Sequence, residues 1–299
     1  MKIDCIGFGA LNVDRLYQVE RIAKPGEESP IIGHEEHPGG SAANAVIGLS
    51  RLGHKVGYIG KVSNDEGGRL LLQSLINEGV DTSGVVKAKS GRSGVVIGFV
   101  DRRGERTLYV DPGVNDTLEF EEVDLEYAAG AEFLHVTSFA GERPFEAQRR
   151  LLESRIESRV SFDPGELYVR RGLQAMRPFL RRSYVVFPNE NELRILTGEG
   201  TEEGAKALLK EGVETVAVKL GERGCFVTDG RESYFVPAYK VKVVDTTGAG
   251  DAFCAGFLHG LILGKDILEC ARLGNLVASK KLSKAGARTG LPRLQDLET

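Results

Sequence analysis

The sequence predicts an α/β fold: a mostly parallel central sheet with helices on both faces, plus a small β-rich lid. Three observations point there. Apolar, β-branched runs alternate with amphipathic segments over most of the chain, the rhythm of strand–helix–strand units. Two stretches, 14–38 and 92–112, carry no helical period and read as extended pairs. The last third is helical. The chain has 299 residues, of which 41% are hydrophobic and 27% charged, values that suit a folded protein and argue against disorder.

In order, Lys2 to Gly9 reads as a strand. Ser41 to Leu52 reads as a helix stopped by Gly53, and Lys55 to Gly60 as a strand. Asp65 to Asn77 reads as a helix ended at Gly79. Further strands are expected at Phe133–Val136, Val160–Phe162, Tyr184–Phe187 and Thr215–Lys219, and helices at Ala249–Leu263 and Ile267–Leu282. The lid pairs are Leu16–Arg21 with Ile31–Glu36, and Gly94–Val100 with Arg106–Val110 around the turn Asp101-Arg102-Arg103-Gly104. The expected division is 1–13, 38–91 and 113–299 for the large domain and 14–37 with 92–112 for the lid.

A formal net charge of −4 offers no global field for nucleic acid or anionic membrane. The apolar start is broken at Asp4 and too short for a signal-peptide core, and no run reaches membrane-spanning length, so a cytoplasmic protein is expected. Cys5, Cys225, Cys254 and Cys270 form no C-x-x-C pair and read as buried reduced thiols.

The chemistry concentrates in Asp245-Thr246-Thr247-Gly248-Ala249-Gly250-Asp251. An apolar strand enters a glycine-rich turn and a helix follows. Such a turn aims free N–H groups at one point beside the positive end of the helix dipole, which makes an anion site. Asp251 lies in the first helical turn. A carboxylate there repels phosphate, so it fits either a helix cap or a base that deprotonates an attacking hydroxyl. A second motif, Gly39-Gly40-Ser41-Ala42-Ala43-Asn44-Ala45, opens another helix with two glycines, where a small molecule can approach the backbone. There is no G-x-x-x-x-G-K-[ST] loop, and Gly7-Phe8-Gly9-Ala10-Leu11-Asn12 lacks the third glycine of a dinucleotide fingerprint.

The two motifs are similar to the C-terminal and N-terminal signatures of the ribokinase-like (PfkB) carbohydrate kinases, and the resemblance runs from Asp14 to Gly290. It implies a ribokinase-like fold and in-line transfer of the γ-phosphoryl of ATP to a hydroxyl of a small sugar. Asp251 is then the general base, and the amides of Gly248, Ala249 and Gly250 form the anion hole. Asp14, Gly39, Gly40 and Asn44 are implied to hold the substrate. Asn189-Glu190-Asn191-Glu192 resembles the family's N-x-x-E element, which gives Asn189 to the nucleotide side and Glu192 to Mg²⁺ through water. Lys219, Gly221 and Gly224 correspond to the turn around the ATP phosphates and ribose. The family often has Thr where Lys219 stands, and a lysine there could itself reach a phosphate. Asn275 falls where the family lines its adenine pocket, and Asp245 and Thr247, with the stretch 284–290, are what the resemblance offers for K⁺. A homodimer through the lid is expected. The alternatives are a nucleoside kinase of the same family, with Tyr109, Phe99 or Phe139 stacking on a base, and a non-catalytic ligand-binding protein on the same scaffold.

Overall fold

A computed structural model describes residues 2–154 and 156–297. The strands in chain order are β1 (Ile3–Phe8), β2 (Asn12–Val19), β3 (Ile31–Gly39), β4 (Val56–Ser63), β5 (Asp81–Ala88), β6 (Gly94–Val100), β7 (Arg106–Asp111), β8 (Ala131–Thr137), β9 (Arg159–Asp163), β10 (Ser183–Val186), β11 (Thr215–Lys219), β12 (Cys225–Thr228) and β13 (Ser233–Val236). The helices are α1 (Ser41–Arg51), α2 (Glu66–Asn77), α3 (Leu125–Ala129), α4 (Glu142–Glu153), α5 (Gly165–Val169), α6 (Leu173–Leu180), α7 (Glu190–Thr197), α8 (Thr201–Lys210), α9 (Ala249–Ile262) and α10 (Ile267–Leu282).

Nine strands form one sheet in the order β13-β12-β11-β10-β9-β8-β1-β4-β5. Pairing is parallel from β11 through to β5 and antiparallel at the β11–β12–β13 edge. The parallel strands are apolar on both faces because both faces are covered. One core holds Val46, Tyr58, Phe187, Phe253 and Phe257. The other holds Phe8, Phe139, Phe162, Phe179 and Val218. The expected large sheet with helices on both faces is therefore present. Two elements go beyond the sequence reading. β5 is partly exposed and carries Thr82, Ser83 and Gly84, too polar to stand out as a buried run. The β12–β13 hairpin makes that edge of the sheet antiparallel.

The second sheet has the order β3-β2-β6-β7, with β2–β6 parallel and the other pairs antiparallel. Gly104 donates its N–H to the Asp101 carbonyl at 3.0 Å and closes the β6–β7 turn. Along these strands Val96, Leu108 and Val110 face inward to a cavity. The opposite face carries a row of rings: His34 stacks on Tyr17, Tyr17 on Phe99, and Tyr109 meets Phe99 edge-on.

Three helices hold the chemical segments together. A Cβ at Gly48 of α1 would stand 2.7 Å from that of Ala255 in α9, and one at Gly256 would stand 2.9 Å from the Gly274 Cα in α10. The missing side chains are what allow this approach. The four cysteines are buried and free, and no helix among the described residues is long and apolar enough to cross a membrane.

Candidate active site

The carboxyl ends of the parallel strands deliver Thr137, Asp163 and Lys219 to one edge of the sheet, where such folds bind ligands. Two cavities open there: Gly250, just before Asp251 in the first turn of α9, lines one, and Gly40 and Ser41, at the start of the helix whose Asn44 bonds Asp251, line the other. The smaller, about 210 Å³, lies under the lid against Asn12, Asp14, Gly40, Ser41, Asn115 and Ser138. The larger, about 630 Å³, is a cleft walled by Lys219, Gly221, Gly224, Val243, Ala249, Gly250, Phe253 and Asn275.

The turn before α9 is built by its own polar groups. Asp245 Oδ1 accepts the Thr247 N–H and Oδ2 the Gly286 N–H, both at 2.8 Å. Gly248 takes the left-handed conformation, φ 76°, with Ala287 packed so close that a Cβ would stand 2.9 Å from it. One expectation needs correcting. The Ala249 N–H donates to the Thr246 carbonyl at 3.1 Å, so the turn itself already engages it. Gly248 and Gly250 keep N–H groups with no backbone acceptor among the described residues.

Asp251 Oδ2 accepts the Asn44 side-chain N–H at 2.7 Å. Asn44 Oδ1 in turn accepts Arg288 Nε–H at 2.7 Å, and the Arg288 guanidinium also donates to Ser74 Oγ and the Gly39 carbonyl. Both atoms of the Asn44 amide thus serve the protein. Asn44 orients Asp251, and its amide keeps a second N–H beside these bonds. Burial pushes Asp251 up to about 6, opposed by the Asn44 hydrogen bond and reinforced by Asp163. Burial likewise lifts Asp14 to about 6, against the pull of Arg288 and with the push of Asp251. A carboxyl group at that value is mostly ionised at neutral pH yet still takes a proton readily.

Gly39 and Gly40 are glycines for steric reasons. A Cβ on Gly39 would run into the Asp14 carboxylate, and one on Gly40, at φ 116°, into the Ala10 carbonyl. Arg106 reaches from the lid strand β7 to Thr247, its Nη1–H donating to Oγ1 at 3.0 Å.

On the cleft side, Asn189 and Glu192 form a reciprocal cap at the start of α7. The Asn189 side chain accepts the Glu192 N–H, and the Glu192 carboxylate accepts the Asn189 N–H, each at 2.8 Å. Lys219 Nζ does not extend freely into the cleft: it pairs with Asp163 Oδ2 at 2.6 Å. Burial works against the Lys219 charge, but Asp163, Cys254 and Glu192 outweigh it and raise its pKa. Burial also raises Glu192, with Lys219 opposing and Asp163 adding. Asn275 donates to the carbonyls of Val236 and Pro237 at 3.0 and 3.1 Å, bracing the cleft wall. Lys281, at the end of α10, donates to the Asp245 carbonyl at 2.7 Å.

Sequence reasoning did not assign Asp163, Arg288, Arg106 or Lys281. Asp163 had one signal, an acid at the carboxyl end of a parallel strand. Arg288 and Lys281 act across α10 and the loop after it, and nothing local marks their partners.

A match to the model of the pfkB family carbohydrate kinases runs over residues 2–294. The chain belongs to the pfkB family of carbohydrate kinases. It is a sugar kinase of that family. It is 48% identical over 84% of its length to the whole of an uncharacterized sugar kinase of Archaeoglobus fulgidus. It is 32% identical to an ATP-dependent ribose-1-phosphate kinase of Halopiger xanaduensis, covering 95% of this chain and 93% of that one. Among solved structures, the ribokinase of Thermotoga maritima superimposes with a TM-score of 0.88 at 27% identity, covering 99% of this chain and 98% of that one. The ribokinase-like fold thus agrees with the expectation from sequence.

Proposed function

We propose that this kinase transfers the γ-phosphoryl of ATP in line to a hydroxyl of a small sugar, with Asp251 as the general base. The observation that carries the proposal is the position of Asp251: a part-buried carboxylate that follows Gly250 of the larger cleft, bonds Asn44 of the helix that Gly40 and Ser41 open onto the smaller cavity, and comes just after a turn with free N–H groups. The sugar lies in the cavity under the lid, its hydroxyls accepted by Asp14 and its ring against Gly39 and Gly40. ATP lies in the cleft over Asn189, Lys219, Gly221, Gly224 and the wall that Asn275 braces. Asp251 takes the hydroxyl proton as the bond to phosphorus forms. The N–H groups of Gly248 and Gly250 stabilise the charge on the phosphoryl oxygens. Arg106 ties the lid to the turn and helps exclude water.

Asp163 pairs with Lys219, and the nearby buried Glu192 carboxylate is only attracted by that ammonium at a distance, which groups hard oxygen donors there. That set fits Mg²⁺, held by Glu192 through water together with the phosphates. When bound, Mg²⁺ neutralises phosphate charge.

A sugar is preferred to a nucleoside because, among the described residues, no aromatic one lines the cavity under the lid. Phe139 is core, against Phe8, while Phe99 and Tyr109 belong to the ring row on the other face of the lid. That row, beside exposed Ile31 and Ile32, supports a homodimer through the lid, which sedimentation at rising concentration would test. An ADP-release screen with ATP, Mg²⁺ and a panel of pentoses, hexoses, sugar acids, sugar phosphates and nucleosides tests the activity. Turnover is expected with a sugar; turnover with nucleosides alone, or binding without ADP, overturns it.

A further inference from the structure

Lys281 is fully buried, at 0% side-chain exposure. An ammonium survives inside a protein only where oxygens replace its water. Here those oxygens belong to one residue of the turn. Lys281 Nζ lies 2.7 Å from the Asp245 carbonyl oxygen and 4.0 Å from Asp245 Oδ2. Burial depresses its pKa, and Asp245 resists that shift. The same segment is tied to α10 again where the Val244 N–H donates to the Leu282 carbonyl at 2.8 Å. A fixed positive charge therefore sits directly behind the turn whose other side presents the Gly248 and Gly250 N–H groups.

A K⁺ site was expected from Asp245, Thr247 and the stretch 284–290, and Asp245, its central ligand, does not fit one. The Asp245 carbonyl is taken by the ammonium, and each Asp245 carboxylate oxygen already accepts an N–H. A second cation would meet the ammonium across one residue. We infer that Lys281 supplies from within the chain the positive charge that a bound monovalent cation would supply behind the turn, so that activity needs no K⁺. Lys281 touches no reactant. It is a positioning residue: it draws the Asp245 carbonyl inward and so holds the peptide dipoles of the turn with their N–H ends outward.

This inference rests on the kinase reading, but its test has an arm that does not. In Lys281→Met the charge is gone and an oxygen-lined gap of ammonium size remains. Melting temperature without nucleotide is measured in KCl, NH₄Cl and choline chloride at equal ionic strength, alongside kcat and KM. For the native enzyme neither kcat nor melting temperature should depend on the cation. For the variant, kcat in choline should fall by at least about ten-fold with little change in KM, short of the roughly 10²–10³-fold that losing a direct anion-hole donor costs. K⁺ or NH₄⁺ should restore most of that loss and raise the melting temperature. Strong stimulation of the native enzyme by K⁺, or a variant fully active in choline, overturns the inference. So does a folded variant that no cation rescues. If Lys281→Met fails to fold, Lys281→Gln, which keeps a donor for the carbonyl, is read by the same outcomes. If no acceptor gives turnover, the kinase reading has failed, and cation-dependent melting of the variant alone still decides the role of Lys281.

Discussion

The two cavities at the site are built differently. The one under the lid is small and sets polar groups, Asn12, Asp14, Ser41 and Asn115 among them, below an apolar roof of Val96, Leu108 and Val110. The cleft on the far side is three times as large and walled by Val241, Val243, Phe253, Ala278 and Leu282. Buried polar groups discriminate sharply because a ligand lacking the matching hydroxyl leaves them unpaired, whereas an apolar wall distinguishes ligands weakly. Under the proposed mechanism the cavity under the lid selects the acceptor, and the cleft mainly holds the nucleotide.

The largest expected effect belongs to the residue shared by both. Asp251→Asn should lower kcat by about 10²–10⁴-fold while both KM values stay near native, measured by steady-state kinetics. A loss confined to one KM would assign Asp251 to one cavity and break the comparison. Next, Asp14→Ala should raise the acceptor KM by roughly 10–100-fold, the size of a lost hydrogen bond to a charged group, and leave the ATP KM alone. If both constants rise together, the two cavities are not independent.

The pH profile sharpens the contrast further. Burial holds Asp251 and Asp14 at about 6, above the ordinary carboxylate value. Turnover should fall as pH drops through about 6, because the base is protonated. The acceptor kcat/KM, which senses the free enzyme, should fall with two protons. For stability the sign is the reverse. The native state holds these protons more tightly than the unfolded chain. Stability is therefore lost as pH rises from the unfolded value towards the folded one. Asp251→Asn should melt higher than native protein at pH 8, with the gap closing in acid; an unchanged gap would deny the raised value.

Smaller effects probe the walls. Asn275→Ala should raise the ATP KM by about five-fold, because it removes the two neutral hydrogen bonds that brace the cleft wall, and spare the acceptor. Arg106→Leu should raise ATP hydrolysis without acceptor by only a few-fold, because it removes one exposed lid contact and leaves the turn intact. No rise would mean that Arg106 does not restrict water.

The sheet and most of its helices were legible because buried parallel strands are continuous apolar runs. The two glycine-rich motifs were legible because steric need fixes glycine at Gly40 and Gly248, whose φ values are positive. β5 escaped because it is half solvated. At the site, contiguous segments were readable and cross-chain pairings were not. Asn44 could be found, but its bond to Asp251, 207 residues away, could not. Lys219 could be found, but its partner Asp163 lies in another strand. The K⁺ expectation was drawn from Asp245, Thr247 and the stretch 284–290, while the charge opposite Asp245 comes from Lys281 at the end of α10, which neither segment includes.

The close stack of α1, α9 and α10 separates what can vary from what cannot. Its glycine contacts leave no room for even a methyl group, and it carries Asn44, Asp251 and Lys281 together. The roof of the acceptor cavity is different: Val96, Leu108 and Val110 stand on lid strands outside that stack. A lineage changing its diet, or a library seeking a new acceptor, can alter those three side chains and inherit the transfer chemistry untouched.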